Sequence, residues 1–477
     1  MAQIEYIAFV KRDCETCKMV AAVLGALKQD VQVTIYSQDD PTFPESTGGA
    51  KDDTALEQSW RHNITIVPTV IQLTDSTETS RTEGWERADW ERLCGPLREA
   101  SALPEFRPGC GSRSTEPGMP ERLSLRYGGL NLAARAIEVV EDADPMEVAF
   151  ERGWTDGLPI VPPTDLRVAR MLAGTTRRPD EIIGEIPPNL STCTVEKAAI
   201  NAVMAGCKPE YFPVVLGVIE AALRPEFSMH GLLCTLWFSG PVVIVNGPVT
   251  RRIGMNSGGN ALGQGNRANA TIGRALQLVI RNVGGGIPGE IDRSVLGNPG
   301  KYTFCFAEDE SDPNWTPLNV ARGAAPGSSS ATLFHGDGVQ GIQSWSARTP
   351  EELCRSLAAS LWGVCHPKLA GWSGAILVLC PEHYEMFRAE GWRRTDVEAG
   401  LHTALRRPGK DLIAGAQGIA EGIDPARADE MVDKFNDGYL LIVRAGGRGG
   451  GISAAIGGWT GHRKTADVQI VTQEIKQ

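Results

Sequence analysis

The stretch FVKRDCETCK at residues 9–18 decides how the start of the chain folds. It joins an apolar run over residues 4–10, which predicts a strand, to a helical pattern over residues 17–27. Cys14 and Cys17 therefore fall where a strand passes into a helix. Unpaired backbone N–H groups and the helix dipole stabilise a thiolate at such a position. The second thiol lies one turn on, so the spacing favours thiol–disulfide exchange, in which Cys17 resolves a mixed disulfide.

The same two cysteines could instead be half of a zinc site. A tetrahedral zinc site usually takes its ligands from two such pairs. Only Cys94 lies near them in sequence, and the chain contains no second pair of cysteines with two residues between them. The sequence therefore favours a redox pair over a structural or metal-binding pair.

The elements expected after this stretch support the redox interpretation. They are a strand at 31–36, a helix at 55–62, an apolar run at 64–70, a strand at 81–85 and a helix at 88–97. The apolar run is interrupted by Pro68 within the step Val67-Pro68-Thr69. This order of elements, over about the first 100 residues, resembles the thioredoxin/glutaredoxin family.

The resemblance assigns roles to three residues. It implies that Cys14 is the attacking thiol, that Cys17 is the resolving thiol and that Pro68 is a cis residue packed against them. In that family the backbone of the proline's neighbour pairs with incoming substrate. This chain departs from the family in the Glu15-Thr16 dipeptide between the cysteines. A carboxylate beside Cys14 is expected to raise the pKa of its thiol.

Length and composition indicate two or three globular domains in an α/β chain. The chain has 477 residues, of which 42% are hydrophobic and 22% charged, enough to bury full cores. The expected domains are a thioredoxin-like redox domain at 1–100, a linker at 101–122 and a larger α/β body at 123–477. The linker is rich in proline and glycine, which favours an irregular segment.

Charge and cysteine content restrict the partners and the compartment. The net charge of −11 argues against nucleic acid and anionic membranes as partners. No apolar run approaches the roughly 20 residues needed to span a bilayer, and no signal-peptide pattern precedes the first strand. Eleven cysteines in so long a chain do not form the pattern of a secreted disulfide framework. A cytoplasmic protein with reduced thiols is expected, and a homo-oligomer is left open.

Cys110, in the expected linker, is an unusual cysteine because it lies between two glycines in a polar segment. Free cysteines tend to be buried in apolar surroundings. Glycines allow another backbone to approach closely. One interpretation is an acceptor thiol served by Cys14, and the other is a cysteine that packs against the protein by chance.

In the body, Cys193 is the best candidate for a reactive thiol. A helix is expected from about this residue to Ala205, with Cys193 or Thr194 at its N-cap and Glu196 three residues after Cys193, as in a capping box. A thiol at that position would have a lowered pKa.

Polar, glycine-rich loops in the body predict a substrate site. The first loop runs from Asn256 directly into a helix that contains Thr271, and such loops present backbone N–H groups to an anion. A loop at 284–290 and another at 446–453 are candidates to surround the same ligand. The residues expected to bind substrate are Asn256, Ser257, Asn260, Asn266, Arg267, Asn269, Thr271 and Arg448. The alternative is that these segments are only long turns.

Two further side chains are candidates for acid–base chemistry. Glu308 ends a strand-like run, and active groups of α/β proteins gather at strand ends. His335 enters a glycine turn with Asp337 two residues on. An acidic turn and a structural histidine are the ordinary alternatives.

A metal site and an internal duplication are weaker interpretations of the last third. Cys365, His366, Cys380 and His383 provide a Cys2His2 set whose spacing is not that of a zinc finger. The strand at 375–379 followed by Cys380-Pro381 has a layout similar to the strand at 242–245 followed by a proline turn. Two similar α/β halves facing one another would produce this pattern.

The body resembles a bacterial family associated with thioredoxin-like domains and with UGSC-type cysteine or selenocysteine proteins. The motifs that carry the resemblance are DGLPIVPPT at 156–164, CTVEK at 193–197, RANATIGR at 267–274 and GNPGK at 297–301. Cys110-Gly111-Ser112 matches three positions of the UGSC motif, with Arg113 in place of its second cysteine. The resemblance supplies no reaction.

Together these features predict a thiol-dependent oxidoreductase. The Cys14–Cys17 pair, reduced by a cellular dithiol, would supply electrons to a body that reduces or reductively cleaves a small polar or anionic molecule, which Cys193, alone or together with Cys110, would attack. No cofactor beyond the redox-active dithiol is implied. The alternatives are a lyase or hydrolase using Glu308 or His335, and a thiol-based binder of metals or metalloids.

Overall fold

The computed structural model describes residues 4–140, 142–459 and 470–476. The chain divides into two compact units, residues 1–131 and 132–477. It is a mixed α/β protein with several mixed sheets, as the sequence predicted. Within the described ranges no helix combines the length and the apolar character needed to cross a bilayer.

The first unit contains short strands around one longer helix. Its strands are β1 (Ile4–Val10), β2 (Val33–Ser37), β3 (Lys51–Asp52), β4 (Ile66–Val67), β5 (Thr69–Thr74), β6 (Thr77–Glu83), β7 (Trp85–Glu86), β8 (Phe106–Arg107) and β9 (Cys110–Gly111). Its helices are α1 (Glu15–Asp30), α2 (Glu57–Arg61), α3 (Arg87–Cys94) and α4 (Met119–Tyr127). Strand β1 has the bounds that its apolar run predicts, and α1 begins between the two cysteines.

Five of these strands form one sheet in the order β3-β2-β1-β5-β6. Strand β1 runs parallel to β2 and antiparallel to β5, and β6 returns antiparallel beside β5. Helix α1 buries Val20, Val23, Leu24 and Leu27, whose spacing of three to four residues places them on one face. That face, with Phe9 and Val10 of β1, forms the core into which Cys14 and Cys17 are packed.

The segment expected to be a linker contributes two short strands to the first unit. Strand β8 pairs antiparallel with β7, and β9 pairs antiparallel with β4. Trp85 of β7 donates its indole N–H to the carbonyl of Pro104 at 2.7 Å. The chain from 104 to 111 is therefore attached to the sheet domain by backbone and side-chain bonds.

The second unit contains the remaining elements. Its strands are β10 (Ile182–Ile186), β11 (Ser191–Thr194), β12 (Gly240–Asn246), β13 (Cys305–Ala307), β14 (Ser330–Gly336), β15 (Val339–Gln343), β16 (Ser373–Leu379), β17 (Arg406–Pro408), β18 (Met431–Asp433), β19 (Leu440–Arg444), β20 (Ile452–Trp459) and β21 (Ile470–Glu474). Its helices are α5 (Pro145–Glu151), α6 (Asp165–Leu172), α7 (Val195–Ala205), α8 (Phe212–Leu223), α9 (Met229–Cys234), α10 (Pro248–Arg252), α11 (Arg267–Asn282), α12 (Leu318–Ala321), α13 (Pro350–Leu361), α14 (Pro381–Ala389), α15 (Arg394–Ala404) and α16 (Gly409–Leu412).

Two four-stranded sheets of the second unit have the same arrangement. One has the order β13-β12-β14-β21 and the other, read in the same sense, β19-β16-β20-β15. In each, the first pair is parallel and the next two pairs are antiparallel. Strands β12 and β16 are buried along their whole length, which explains their continuous apolar sequences.

The outer strands of the two sheets are exchanged along the chain. Strand β15 follows β14 in sequence but pairs with β20, and β21 follows β20 but pairs with β14. The exchange links the two sheets into one unit. The carboxyl ends of β16 and β19, which are parallel neighbours, lie side by side.

Candidate functional site

Cys14 is the N-cap residue of α1, and its sulfur lies between a backbone donor and a backbone carbonyl. The Sγ atom accepts the backbone N–H of Cys17 at 3.3 Å and lies 3.6 Å from the carbonyl oxygen of Val67. The residue has an extended backbone, and only 2% of it is exposed. The sequence placed this thiol at a helix N-terminus, and the structure does the same.

The environment separates the pKa values of the three thiols at this site. A hydrogen bond from the Cys17 thiol has the largest effect on the pKa of Cys14, and it opposes the effect of burial. Together with a second bond from the Cys110 thiol, it lowers the pKa of Cys14 to about 5. Burial raises the pKa of Cys17, and burial followed by the bond to Cys14 raises that of Cys110. Cys14 is therefore the thiolate at neutral pH, and the other two thiols stay protonated.

Glu15 does not have the effect expected from its position between the cysteines. Its carboxylate is exposed and forms an ion pair with Lys18 at 2.7 Å. The carboxylate is thereby directed along the helix surface, and the pKa of Cys14 is lowered rather than raised.

Cys110 lies in a two-stranded ladder beside Cys14. Val67 pairs with Cys110 and Ile66 with Gly111 in the antiparallel pair β4–β9, and the peptide bond between Val67 and Pro68 is cis. The backbone of β9 approaches β4 closely because residue 109 is glycine. A Cβ atom at Gly109 would overlap the side chain of Ile66 and lie 2.8 Å from the Val67 carbonyl oxygen.

Side chains of the first unit hold this segment in place. Thr16 donates its hydroxyl to the Pro108 carbonyl at 2.7 Å, and Lys11 donates to the Gly111 carbonyl at 2.9 Å. After β9, the Ser112 N–H donates to the Thr65 carbonyl at 2.9 Å. Cys110 is thus fixed on both sides at a half-buried position next to the thiolate.

In the second unit, Cys193 is not the cap thiol that the sequence suggested. It lies in β11, and Thr194 is the N-cap of α7, with its hydroxyl accepting the Lys197 N–H at 3.3 Å. The thiol is fully buried, and burial raises its pKa to about 11. Thr194 is the one of the two expected cap residues that caps the helix, and the prediction of a low-pKa thiol at Cys193 is wrong because the thiol is buried.

Glu308 is enclosed and does not stand open at its strand end. Its carboxylate accepts hydrogen bonds from Trp315 Nε1 and from the Leu318 N–H, and it forms an ion pair with Arg394 at 3.1 Å. Asn246 supplies a further donor at 2.7 Å. Burial raises the pKa of Glu308, with Arg394 opposing it. With every approach occupied, Glu308 is a structural carboxylate, and its predicted acid–base role is not supported.

His335 is likewise a core residue. It lies within β14 with 1% exposure, and its Nε2 donates to the Phe227 carbonyl at 2.6 Å, since that oxygen can only accept. Its ring packs edge-on against the Phe227 ring at 4.6 Å between centroids. A histidine so enclosed does not meet substrate, so the predicted base at His335 is wrong.

The amide side chains of the first polar loop bond within or beside that loop. Each of Asn256, Asn260, Asn266 and Asn269 donates its side-chain N–H to a carbonyl between residues 254 and 264. The remaining contacts of the predicted set are Arg267 with the Gly206 carbonyl, Thr271 with the Arg267 carbonyl, and the Ser257 carbonyl with the Gly446 N–H. These amides stabilise the loop, and their predicted contact with substrate stays a prediction. Arg448, on the loop that approaches Ser257, is exposed.

The four weaker metal candidates do not form a metal site. Among residues 4–140, 142–459 and 470–476, no group of three or more His, Cys, Asp or Glu side chains is arranged to hold a metal ion. Cys365 is exposed and His366 accepts the Lys368 N–H at its Nδ1 at 3.2 Å. Cys380 and His383, in contrast, lie together at the start of α14.

Comparison with known proteins gives no family for this chain. No protein-family model matches it, and no curated protein is similar to it.

Proposed function

We propose that the first unit is a thioredoxin-like thiol–disulfide exchange domain that carries its own partner thiol, Cys110. The observation that supports this most directly is the placing of Cys110 beside the helix-capping Cys14: Cys110 pairs with Val67, whose carbonyl oxygen lies 3.6 Å from the Cys14 sulfur. A low-pKa thiol at a helix N-terminus is a good nucleophile and a good leaving group in disulfide exchange.

The order of strands and the position of Cys110 support the proposal. Strand β1 lies between parallel β2 and antiparallel β5, with the two cysteines where β1 passes into α1. Cys110 pairs with Val67, the residue that precedes Pro68. In the family that this region resembles, the backbone at that position pairs with substrate. The segment around Cys110 therefore occupies the place of an incoming substrate.

The exchange reaction balances with two thiols of the domain, a substrate disulfide and an external dithiol. Cys14 Sγ attacks one sulfur of a substrate disulfide, a new S–S bond forms, and the other half of the substrate leaves as a thiolate. A second thiol of the domain then attacks the Cys14 sulfur, the mixed disulfide breaks, and its proton passes to the departing thiolate. The domain is oxidised by two electrons, and a cellular dithiol restores it.

Cys110 is better placed than Cys17 to perform the second step. Cys17 has no exposed surface, and burial raises its pKa. Cys110 is half-buried, and from strand β9 it contacts the sulfur of Cys14. The Cys14–Cys110 disulfide is the proposed product, and electrons stored in the dithiol serve the reduction of a small polar or anionic substrate.

A single-turnover experiment tests the proposal. Fully reduced protein, freed of reductant, is mixed with bis(2-hydroxyethyl) disulfide, and released 2-mercaptoethanol and protein disulfides are quantified. We expect a fast phase that releases two thiols per chain in the wild type, loss of that fast phase in Cys14→Ser, and a fast phase of one thiol in Cys110→Ser followed by slow resolution by Cys17. Full release from Cys14→Ser would contradict the proposal. Equal rates of the second release in wild type and Cys110→Ser would assign that step to Cys17.

A further inference from the structure

One segment of the first unit, residues 104–115, which we call the arm, occupies an edge of β4. Strand β9 of the arm pairs antiparallel with β4, so that Cys110 lies opposite Val67. The Ser112 N–H donates to the Thr65 carbonyl at 2.9 Å and extends the contact beyond the strand. An extended peptide commonly binds a protein in this way, by adding a strand to a free edge. In this unit the arm already holds that edge.

The arm fits closely between β4 and Gly84, which lies in the turn before β7. A Cβ atom at Gly84 would be 2.8 Å from the backbone nitrogen of Gly109 in the arm. Gly84 also has a φ of +72°, in the left-handed region that favours glycine. On the other side, a Cβ atom at Gly109 would be 2.8 Å from the Val67 carbonyl oxygen. The backbone of the arm therefore fills the space beside β4.

A buried polar network ties the end of the arm to the core of the unit. The side-chain amide of Gln38, which has no exposed surface, donates to the hydroxyls of Ser59 at 2.8 Å and Ser112 at 2.6 Å. The amide oxygen of Gln38 accepts the Arg113 N–H at 3.0 Å. The hydroxyls of Ser112 and Ser114 lie 2.7 Å apart. These buried groups lose partners when the arm opens, so the network stabilises the closed arm.

The position of the arm affects large and small disulfides differently. Two further side-chain bonds, from Thr16 and Lys11 to carbonyls of the arm, hold it next to Cys14. Because these bonds and the network act on neighbouring residues, the arm opens as one unit. A disulfide on a folded protein brings flanking chain to Cys14 and needs the place of the arm. A small disulfide needs only a shift of the Cys110 side chain, which is half-buried.

We propose that the arm sets the substrate class of Cys14, so that the site exchanges with small disulfides and excludes the disulfides of folded proteins. This inference rests on the exchange function proposed above, and Gln38 and Ser112 are positioning residues that keep the arm closed. Cys14 Sγ forms a bond to one substrate sulfur, the substrate S–S bond breaks, and its electron pair leaves with the other sulfur as a thiolate. With a protein disulfide, the rate of this step is proportional to the fraction of molecules whose arm is open.

Single-turnover rates of the reduced full chain test the proposal, with bis(2-hydroxyethyl) disulfide and insulin as probes. The rate counted is the part that is lost in Cys14→Ser, divided by the rate of dithiothreitol with the same disulfide to correct for intrinsic reactivity. We expect the corrected rate with insulin to be lower by about a hundredfold or more, because several bonds of the closed arm must break together. Equal corrected rates would overturn the proposal and leave the exchange function standing. Absence of reaction with the small disulfide would overturn both.

Variants of the network test whether it is the closed arm that excludes insulin. Ser112→Ala should raise the corrected rate with insulin by about three- to tenfold, the effect of one hydrogen bond, and change the rate with the small disulfide less. Gln38→Ala removes more bonds and should have a larger effect. Ser46→Ala is the matched control, because the Ser46 hydroxyl donates to the Ala21 carbonyl, away from the arm.

Hydrogen exchange of residues 104–115, followed by mass spectrometry, measures the opening of the arm itself. In Ser112→Ala it should accelerate by the same factor as the reaction with insulin. If Gln38→Ala does not fold, Ser112→Ala carries the test alone. An insulin rate in Ser112→Ala equal to that in Ser46→Ala would overturn the proposal, whether or not exchange accelerates, because an open arm would then not admit a protein disulfide.

Discussion

Val67 and Cys110 are partners in an antiparallel ladder, which holds the Cys110 thiol against the thiolate of Cys14. The two strands involved have two residues each, so the pairing depends on close backbone approach and on the side-chain bonds around it. This relationship joins Cys14 and Cys17 to a cysteine almost a hundred positions further along the chain.

The ionisation of Cys14 gives a first prediction. The rate of its alkylation by iodoacetamide should rise with pH through a midpoint of about 5 and be constant at neutral pH, because the thiolate is already formed. Cys17→Ala removes the strongest hydrogen bond to that thiolate and should move the midpoint upward toward the ordinary value. Quantitative mass spectrometry of the Cys14 peptide measures both. A wild-type midpoint near 9 would contradict the assignment.

Glu15 provides a second prediction. Because its carboxylate is exposed and paired with Lys18, Glu15→Gln should leave the alkylation midpoint of Cys14 unchanged within about 0.3 pH units, as expected for screened surface charges. The same alkylation series measures it. A clear downward shift would restore the expectation drawn from the sequence alone, that this carboxylate opposes the thiolate.

The close approach at Gly109 gives a third prediction. Gly109→Ala introduces a Cβ atom that overlaps Ile66, so β9 should separate from β4 and Cys110 should be alkylated faster. Gly111→Ala is the matched control, because a Cβ atom there meets nothing within 4 Å. Cys14 should also react faster with external disulfides in the first variant and unchanged in the second. Identical behaviour of the two variants would show that the ladder does not restrict access.

The enclosed ion pair gives a fourth prediction, on stability. Glu308→Ala leaves Arg394 buried without its main partner and should lower the free energy of unfolding of the second unit by about 3–5 kcal/mol. Glu398→Ala removes a partly exposed carboxylate 3.6 Å from the same arginine and should cost about 0–1 kcal/mol. Urea denaturation measures both. Equal losses would contradict the structural role of Glu308.

Local sequence patterns predicted the start of the first unit well. The apolar run gave the bounds of β1, and the cysteine spacing gave the thiol at the beginning of α1. Such features depend on neighbours in sequence. The position of Cys110 does not depend on its neighbours in sequence, because its ladder with Val67 joins distant segments of the chain. The prolines and glycines near Cys110 indicated only an irregular linker.

Errors in the second unit have identifiable physical causes. The sequence left the cap of α7 open between Cys193 and Thr194; Thr194 provides it, and the Cys193 side chain is buried within β11. Glu308 and His335 were judged by their neighbours in sequence, whereas burial by Arg394 and Phe227 comes from tertiary packing. Cys380 and His383 were only weak metal candidates in the sequence, and the structure places them at the start of α14, where His383 bonds to Ser453 and Ser344.

The central claim, that Cys110 is the built-in partner of Cys14, is tested most directly by thiol mapping of Cys17→Ser after mild oxidation. Without Cys17, the disulfide that Cys14 forms cannot be exchanged for a Cys14–Cys17 bond, and its partner is identified by mass spectrometry of the linked peptides. The account predicts a Cys14–Cys110 peptide as the main product, and a weaker yield in Cys17→Ser combined with Gly109→Ala. Recovery of Cys14 only on external thiols, with Cys110 still reduced, would contradict it.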